Sequence, residues 1–347
     1  MKKKIFIGVS GINAIDNPGP GIGVARSLKE EKGLNAVIVG LAYDAMEPGI
    51  YMDWLFDKSF IMPYPSANGE AFFERLLYIR ESYGLDYVIP NLDVELPFYI
   101  KYADRLKEKG IRTFLPALED FHGCSKERLK EVSGLIGTKL PRTEVVNNPE
   151  ALADAVEAIG LPVMVKGHYY GASRAENYQQ AVSLFNKVVA EWGYPVIIQE
   201  IISGTELNVV GLGDGKGTSA GLVCIRKVGV TSLGKIWTGV TVQHGPMLDA
   251  ANRFAAAMQW KGPFELECMS TGDDIYLIEI NPRFPAWTYF ATAVGINLPL
   301  RLIRMMMGKP PGTTGEYEAG RLFVRYTYEI VTDIEAFQRS ATRGENP

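Results

Sequence analysis

Glu265-Leu266-Glu267-Cys268-Met269, a turn at residues 270–274, and then Ile275-Tyr276-Leu277-Ile278-Glu279-Ile280-Asn281-Pro282-Arg283 is the stretch whose reading decides this chain's fold. Each half alternates apolar and polar residues, and a turn separates them, so the pattern predicts a β-hairpin. Side chains two apart share a face of a strand, which pairs Glu265 with Glu267 and Glu279 with Asn281. With Gly272-Asp273-Asp274 as the loop, Glu267 falls opposite Glu279 and Glu265 opposite Asn281. Like charges directly across a strand pair are destabilising. Three carboxylates and an amide oxygen on one face therefore call for a cation. Magnesium suits an all-oxygen donor set and commonly adds water or substrate phosphates to one or two carboxylates. The alternative is the solvated polar face of an exposed hairpin.

Working upstream, Leu161-Pro162-Val163-Met164-Val165 reads as a short strand that ends on Lys166 and runs into Gly167, Gly171, Ala172 and Ser173. An ammonium at a strand end, followed by small residues, suits phosphate oxygens. The Gly-Lys-Ser/Thr spacing of a Walker loop is absent. Taken alone, Lys166 reads first as a strand-end lysine snorkelling to solvent, and His168 as a loop histidine beside it. Gln199-Glu200-Ile201-Ile202-Ser203-Gly204-Thr205-Glu206 is a strand that turns at Gly204 and resumes. Its free main-chain groups could meet a purine edge, or it is an ordinary turn.

Further out, the first third alternates short apolar runs (4–9, 36–41, 87–90, 112–115) with helical patterns (24–32, 70–83, 97–109). That alternation predicts an α/β, doubly wound parallel sheet. Ligands bind beyond the carboxyl ends of such strands, which brings the loops 11–23 and 91–95 forward. From about Ser125 the pattern becomes α+β. Helices are expected at 125–135, 149–159, 179–192, 248–260, 287–294 and 298–307, and strands at 162–165, 195–202 and 321–328.

The 347 residues, 47% of them hydrophobic and 22% charged, allow two or three structural units with a large core. A formal net charge of -4 gives no electrostatic reason to expect nucleic acid or an anionic membrane. No apolar run approaches the roughly 18 residues of a transmembrane helix. Three scattered cysteines form neither a metal spacing nor a disulfide framework, so a cytoplasmic location is expected.

The order of these residues resembles the ATP-grasp superfamily, closest to its carbamoyl-phosphate-synthase-like and amino-acid-ligase branches. Lys126 at a helix start, Lys166 at a strand end, the segment from Gln199 to Glu206, and the Glu267 … Glu279-x-Asn281-Pro282-Arg283 ending carry the resemblance. It implies a pre-ATP-grasp domain at 1–117, an ATP-grasp domain at 118–312 with a lid at about 126–200, and a C-terminal strand and helix at 313–347 packing on the ATP-grasp domain. It also implies that Lys126, Lys166, Ser173 and, less directly, Arg226 meet the phosphates of ATP. Gln199 and the main chain of Glu200 and Ile202 would meet the adenine, and Glu206 the ribose. Glu267, Glu279 and Asn281 would hold magnesium or manganese, with Arg283 and Lys166 acting on the reacting phosphoryl group.

Tyr169 and Tyr170 would make the phosphate loop bulky. The expected reaction is ATP-dependent joining of a carboxylate to an amine or thiol through an acyl phosphate. A bicarbonate-activating enzyme and a non-catalytic ATP sensor are the alternatives. Asn13, Asp93, Glu95, Trp237 and Arg283 are expected to line the cleft for the small-molecule substrates. The oligomeric state is open, a homodimer among the options.

Overall fold

The computed structural model describes residues 4–126, 128–167, 171–272, 274–312 and 315–346. His168, Tyr169, Tyr170 and Asp273 lie outside the described residues.

The first sheet uses β1 (Ile5–Ser10), β2 (Ala36–Ala42), β3 (Lys58–Ile61) and β4 (Tyr87–Ile89), in the order β3-β2-β1-β4, all parallel. These strands are near-continuous apolar runs because both faces of a parallel sheet are covered. The chain steps outward from β1 to β3 and then crosses to β4. The loops after β1 and β4 therefore flank the point where the order reverses, as ligand-binding loops of such sheets do.

Several elements differ from expectation. The expected strand at 112–115 is only a bridge between Arg112 and Tyr87, and Pro116 soon removes a donor. The first helix starts earlier, at Pro20–Lys29, so the loop after β1 is shorter than 11–23. Proline suits a first helical turn, whose N–H has no intrahelical partner. The next residue, Gly21, lies so close to β1 that a Cβ there would sit 2.0 Å from the Ser10 carbonyl oxygen. The helix expected at 97–109 is two six-residue helices, Leu96–Lys101 and Ala103–Glu108.

A second sheet holds β5 (Thr143–Val146), β6 (Val163–Gly167), β7 (Ala172–Ala175) and β8 (Val196–Glu200), in the order β5-β8-β6-β7. The helices Ala151–Ile159 and Tyr178–Trp192 cover it, and it has its own core around Val163, Val165, Phe185 and Ile198.

The third sheet is β9 (Thr205–Asp214), β10 (Ser219–Val230), β11 (Ile236–Thr241), β12 (Lys261–Ser270), β13 (Ile275–Asn281) and β14 (Leu322–Val324), ordered β13-β12-β9-β10-β11-β14. One buried cluster runs from Ile7 and Val9 of β1 to Phe264 and Leu266 of β12, so the first and third sheets share a core. The chain ends on β15 (Glu345–Asn346), which pairs antiparallel with β3. The C-terminal segment therefore does not pack on the third sheet alone, as expected. It pairs with that sheet at β14 and returns to the first. Among the described residues no helix is long and apolar enough to cross a membrane.

Candidate active site

The β12–β13 hairpin has the facing pairs read from the sequence, Glu265 with Asn281 and Glu267 with Glu279, but by another route. The connection spans 271–274, and an extra residue between the Cys268–Leu277 and Glu267–Glu279 pairs restores the register.

Each acid has a different environment. Glu265 is buried and accepts hydrogen bonds from Asn208 Nδ2 (2.8 Å), Trp287 Nε1 (2.7 Å) and Asn281 Nδ2 (3.0 Å). Burial, and then the charge of Glu267, push its carboxyl up to about 7. Glu267 accepts from Lys227 Nζ at 2.8 Å and from Asn281 Nδ2 at 3.0 Å. Burial raises it, but Lys227, Asn208 and Arg283 together hold it below the usual carboxylate range. Glu279 lies 3.7 Å from Lys126 Nζ, and its carboxyl is raised by burial and by Glu267.

Lys227 also bonds Glu206 and so links that acid to Glu267. Burial opposes its proton, yet the two carboxylates raise its pKa above the ordinary lysine value. Lys227 and Asn281 Nδ2 thus supply part of the positive compensation that the facing acids require.

Arg283, just past β13, donates to Asp93 (2.9 Å), Asn281 Oδ1 (3.1 Å) and the Phe284 carbonyl (3.3 Å). Burial works against its charge, but Asp93 and Glu265 raise its pKa overall. Asp93 comes from the loop after β4, so this ion pair joins the first sheet to the hairpin.

Lys166, next to last in β6, faces the same region from the second sheet. Its Nζ donates to Gln199 Oε1 at 2.6 Å, and Gln199 Nε2 donates to Thr143 Oγ1 at 3.0 Å. Burial, and then Lys126, lower Lys166 to about 8 against the opposing pull of Glu279, Glu267 and Glu206.

The structure thus gathers Lys126, Lys166, Gln199, Glu206, Glu267, Glu279, Asn281 and Arg283. Ser173 pairs with Val165, one position along β7 from Ala172, which faces Lys166. The Glu200 N–H donates to the Arg142 carbonyl, and its carboxylate accepts from the Arg142 N–H. Ile202 lies in the turn beyond β8.

Two expectations change. Arg226 points away from the acids into a cavity of about 450 Å³ with Leu207, His244 and Ser270, because adjacent residues of a strand face opposite sides. Its neighbour Lys227 takes the inner position. Glu95 is fully buried rather than lining a cleft. It accepts from Ser10, Tyr43 and the Asn91 and Leu92 N–H groups, and so braces the loop that presents Asp93. Asn13 and Trp237 have no described contact with Asp93 or Arg283. Lys227, Asn208 and Trp287 were missed. Only the register of β9, β10 and β12 could have singled out Lys227.

Among the described residues no three His, Cys, Asp or Glu side chains cluster as a metal cage. Two facing carboxylates and an amide oxygen nevertheless fit a magnesium ion that takes its remaining oxygens from phosphate and water. Asn281 would then turn Oδ1 toward the ion, since Nδ2 now faces the carboxylates.

A family model described as ATP-grasp in the biosynthetic pathway with Ter operon matches residues 194–328. The carbamoyl phosphate synthase large chain of Clostridium acetobutylicum is 25% identical over 225 residues, which is 60% of this chain and 21% of that protein. The arginine-specific large chain of Bacillus subtilis is 24% identical over 227 residues, again 60% of this chain and 21% of that protein. The chain thus spans about a fifth of the length of these curated relatives.

Among solved structures, the biotin carboxylase domain of Hydrogenobacter thermophilus 2-oxoglutarate carboxylase, with MgADP and bicarbonate, aligns at a TM-score of 0.67 and 18% identity. The alignment covers 92% of this chain and 73% of that one. The L-amino acid ligase of Bacillus licheniformis aligns at 0.63 and 16%, covering 88% and 74%. At these identities the likeness is one of fold.

Proposed function

The chain belongs to the ATP-grasp superfamily, and from that premise we propose that it is an ADP-forming ligase joining a small carboxylate to an amine or thiol. The observation that supports this most is the convergence of Lys126, Lys166 and Arg283, from separate elements, on the face of Glu267, Glu279 and Asn281.

Phosphoryl transfer asks the protein mainly for positioning and charge stabilisation. Lys126 and Lys166 would hold the polyphosphate of ATP. The Glu200 carbonyl oxygen, Gln199 and the main chain of Ile202 would frame the adenine, with Glu206 toward the ribose. Glu267, Glu279 and Asn281 would hold magnesium or manganese, which when bound neutralises phosphate charge. Arg283, kept charged by Asp93, would stabilise the transferred phosphoryl group. The substrate carboxylate would attack the γ-phosphorus as the bond to ADP breaks. The amine or thiol would then displace phosphate from the acyl carbon. We also propose a cytoplasmic location and the domain limits 1–117 and 118–312.

An ADP-release screen over carboxylic acids paired with amines and thiols, with magnesium and with excess chelator, tests this reading. Release that depends on both an acid and the metal is expected. ATP binding with no release across the panel would indicate a sensor instead. The likeness to carbamoyl phosphate synthase favours bicarbonate as a second reading, which release with bicarbonate and no organic acid would establish.

A further inference from the structure

Arg325, the residue just past β14, is a buried cation without a counter-ion. Its main-chain N–H donates to the Trp237 carbonyl, which extends the pairing of β14 with β11. Its side chain turns inward. Nη2 donates to the Ala286 carbonyl at 2.6 Å, while Nη1 is buried with no hydrogen-bond partner among the described residues. Only burial acts on its pKa, pulling it down to about 10, so no described carboxylate stands close enough to support the charge. The side chain is still protonated at neutral pH, and a buried charge without a partner is costly. An orphaned donor of this kind calls for an explanation. Arg283 makes the contrast: it is tied to the same loop through the Phe284 carbonyl, but Asp93 is its counter-ion.

Two observations place this guanidinium beside the candidate active site. Side chains directly opposite one another in a sheet share a face. The register carries one face from Glu267 to Asn208 and Ile225, and then from Lys227 to Gly239 and Phe323. Arg325 lies two positions past Phe323 and is on that face too. The Phe284 and Ala286 carbonyls, which hold the two arginines, are also two residues apart. Two residues of chain span at most about 7 Å, so the guanidinium groups stand a small molecule's length apart. The Ala286 oxygen lies 3.8 Å from where a Cβ on Gly23 would be, which sets it against the helix that follows β1.

We propose that Arg325 receives an oxyanion of the substrate acid, at the end remote from the carboxylate that is phosphorylated beside Arg283. The proposal rests on the ligase reading above and narrows its substrate. The acid carries a second anionic group, a carboxylate or a phosphate, a few bonds from the first. The planar fork of arginine suits either group, and Nη1 is the donor still to be used. A neutral acid of similar size would leave Nη1 buried and unpaired, so the site selects against it.

The test uses the full chain with magnesium-ATP and the panel of amines and thiols. ADP release is compared for short dicarboxylic acids, each beside its monoamide, and for phosphoglycerate beside glycerate. The charged member should be preferred by roughly 10- to 100-fold in kcat/KM, the scale of a hydrogen bond to a charged group. Which pairs show the preference separates carboxylate from phosphate. Arg325→Gln should remove it by raising KM for the dianion, with kcat and the KM for ATP largely kept. Arg325→Lys keeps the charge without the fork and should retain only part of the preference, a readout that survives if the glutamine variant folds poorly. A second arm needs no turnover. The same dianions at millimolar concentration should raise the melting temperature of the wild type more than that of either variant. If that difference appears while no acid gives ADP release, the anion site stands and the ligase reading falls. Equal kcat/KM within every pair would overturn the proposal. So would a preference that the folded variants leave intact, or a melt that no dianion raises in an Arg325-dependent way.

Discussion

A lysine hidden from water beside a second cation gives up its proton more readily, and Lys166 is driven to about 8 by burial and by Lys126. Its charged form is the one that holds phosphate, so ATP affinity should fall as pH rises through about 8. A Lys166→Arg variant should lose that dependence between about pH 7 and 9, because arginine stays charged (pKa above ~12). Calorimetric titration at several pH values reads this. The sign for stability is opposite. Between about 8 and the ordinary value of 10.5 the unfolded chain binds more protons, so the nucleotide-free protein should gain stability as pH rises through that window. Lys166→Ala should weaken ATP binding by about 1.5–3 kcal/mol, the scale of a hydrogen bond to a charged group, with little change in the nucleotide-free melt. Unaltered affinity would leave Lys166 a structural partner of Gln199 with no part in holding phosphate.

At the scale of the hairpin, Glu279 and Glu265 should separate cleanly. Glu279 faces Glu267 and is raised by it, so Glu279→Gln relieves repulsion and should leave the nucleotide-free melt equal or slightly higher. Turnover should be lost, and stabilisation by magnesium-ATP should shrink. Glu265 instead accepts from three donors in the core. A glutamine there replaces one acceptor oxygen with an NH₂ group and leaves donors unpaired, costing about 1–3 kcal/mol of stability. Its effect should be read in the melt, with any residual ADP release still dependent on metal. Wild-type turnover in Glu279→Gln would defeat the catalytic reading of the hairpin.

Across the whole molecule, the second sheet has its own core, the first and third sheets share another, and Lys166 and Gln199 belong to the second sheet, which the proposed function makes a lid. A ligand that binds only the folded state stabilises it by about 2.7 kcal/mol at 100 times its Kd. Magnesium-ATP should therefore raise the melting temperature, and chelator should remove most of that gain. Bridging the lid to the other two sheets should also slow amide exchange in β6 and β7 more than in β1 and β2. Equal slowing in both sheets would argue against closure of the lid.

The period-two alternation of 265–269 and 275–281 was enough to place the acids on one face, and the strand–helix alternation was enough to expect parallel pairing near the N-terminus. These are local patterns, written into neighbouring residues by the geometry of a strand and the apolar content of a covered sheet. Tertiary structure alone decided that Lys227, not Arg226, turns toward Glu267, since that depends on the register of β10 against β9. It also decided that Glu95 is a buried brace while Asp93, two residues earlier, pairs with Arg283. Whether an acid in a loop meets water or four donors depends on what distant segments pack over it. The return of the C-terminus to β3 is of the same kind: Glu345 pairs with Phe60 and Asn346 with Ser59, and the Ile61 N–H donates to the Gly344 carbonyl, pairings that leave no periodic trace in either stretch.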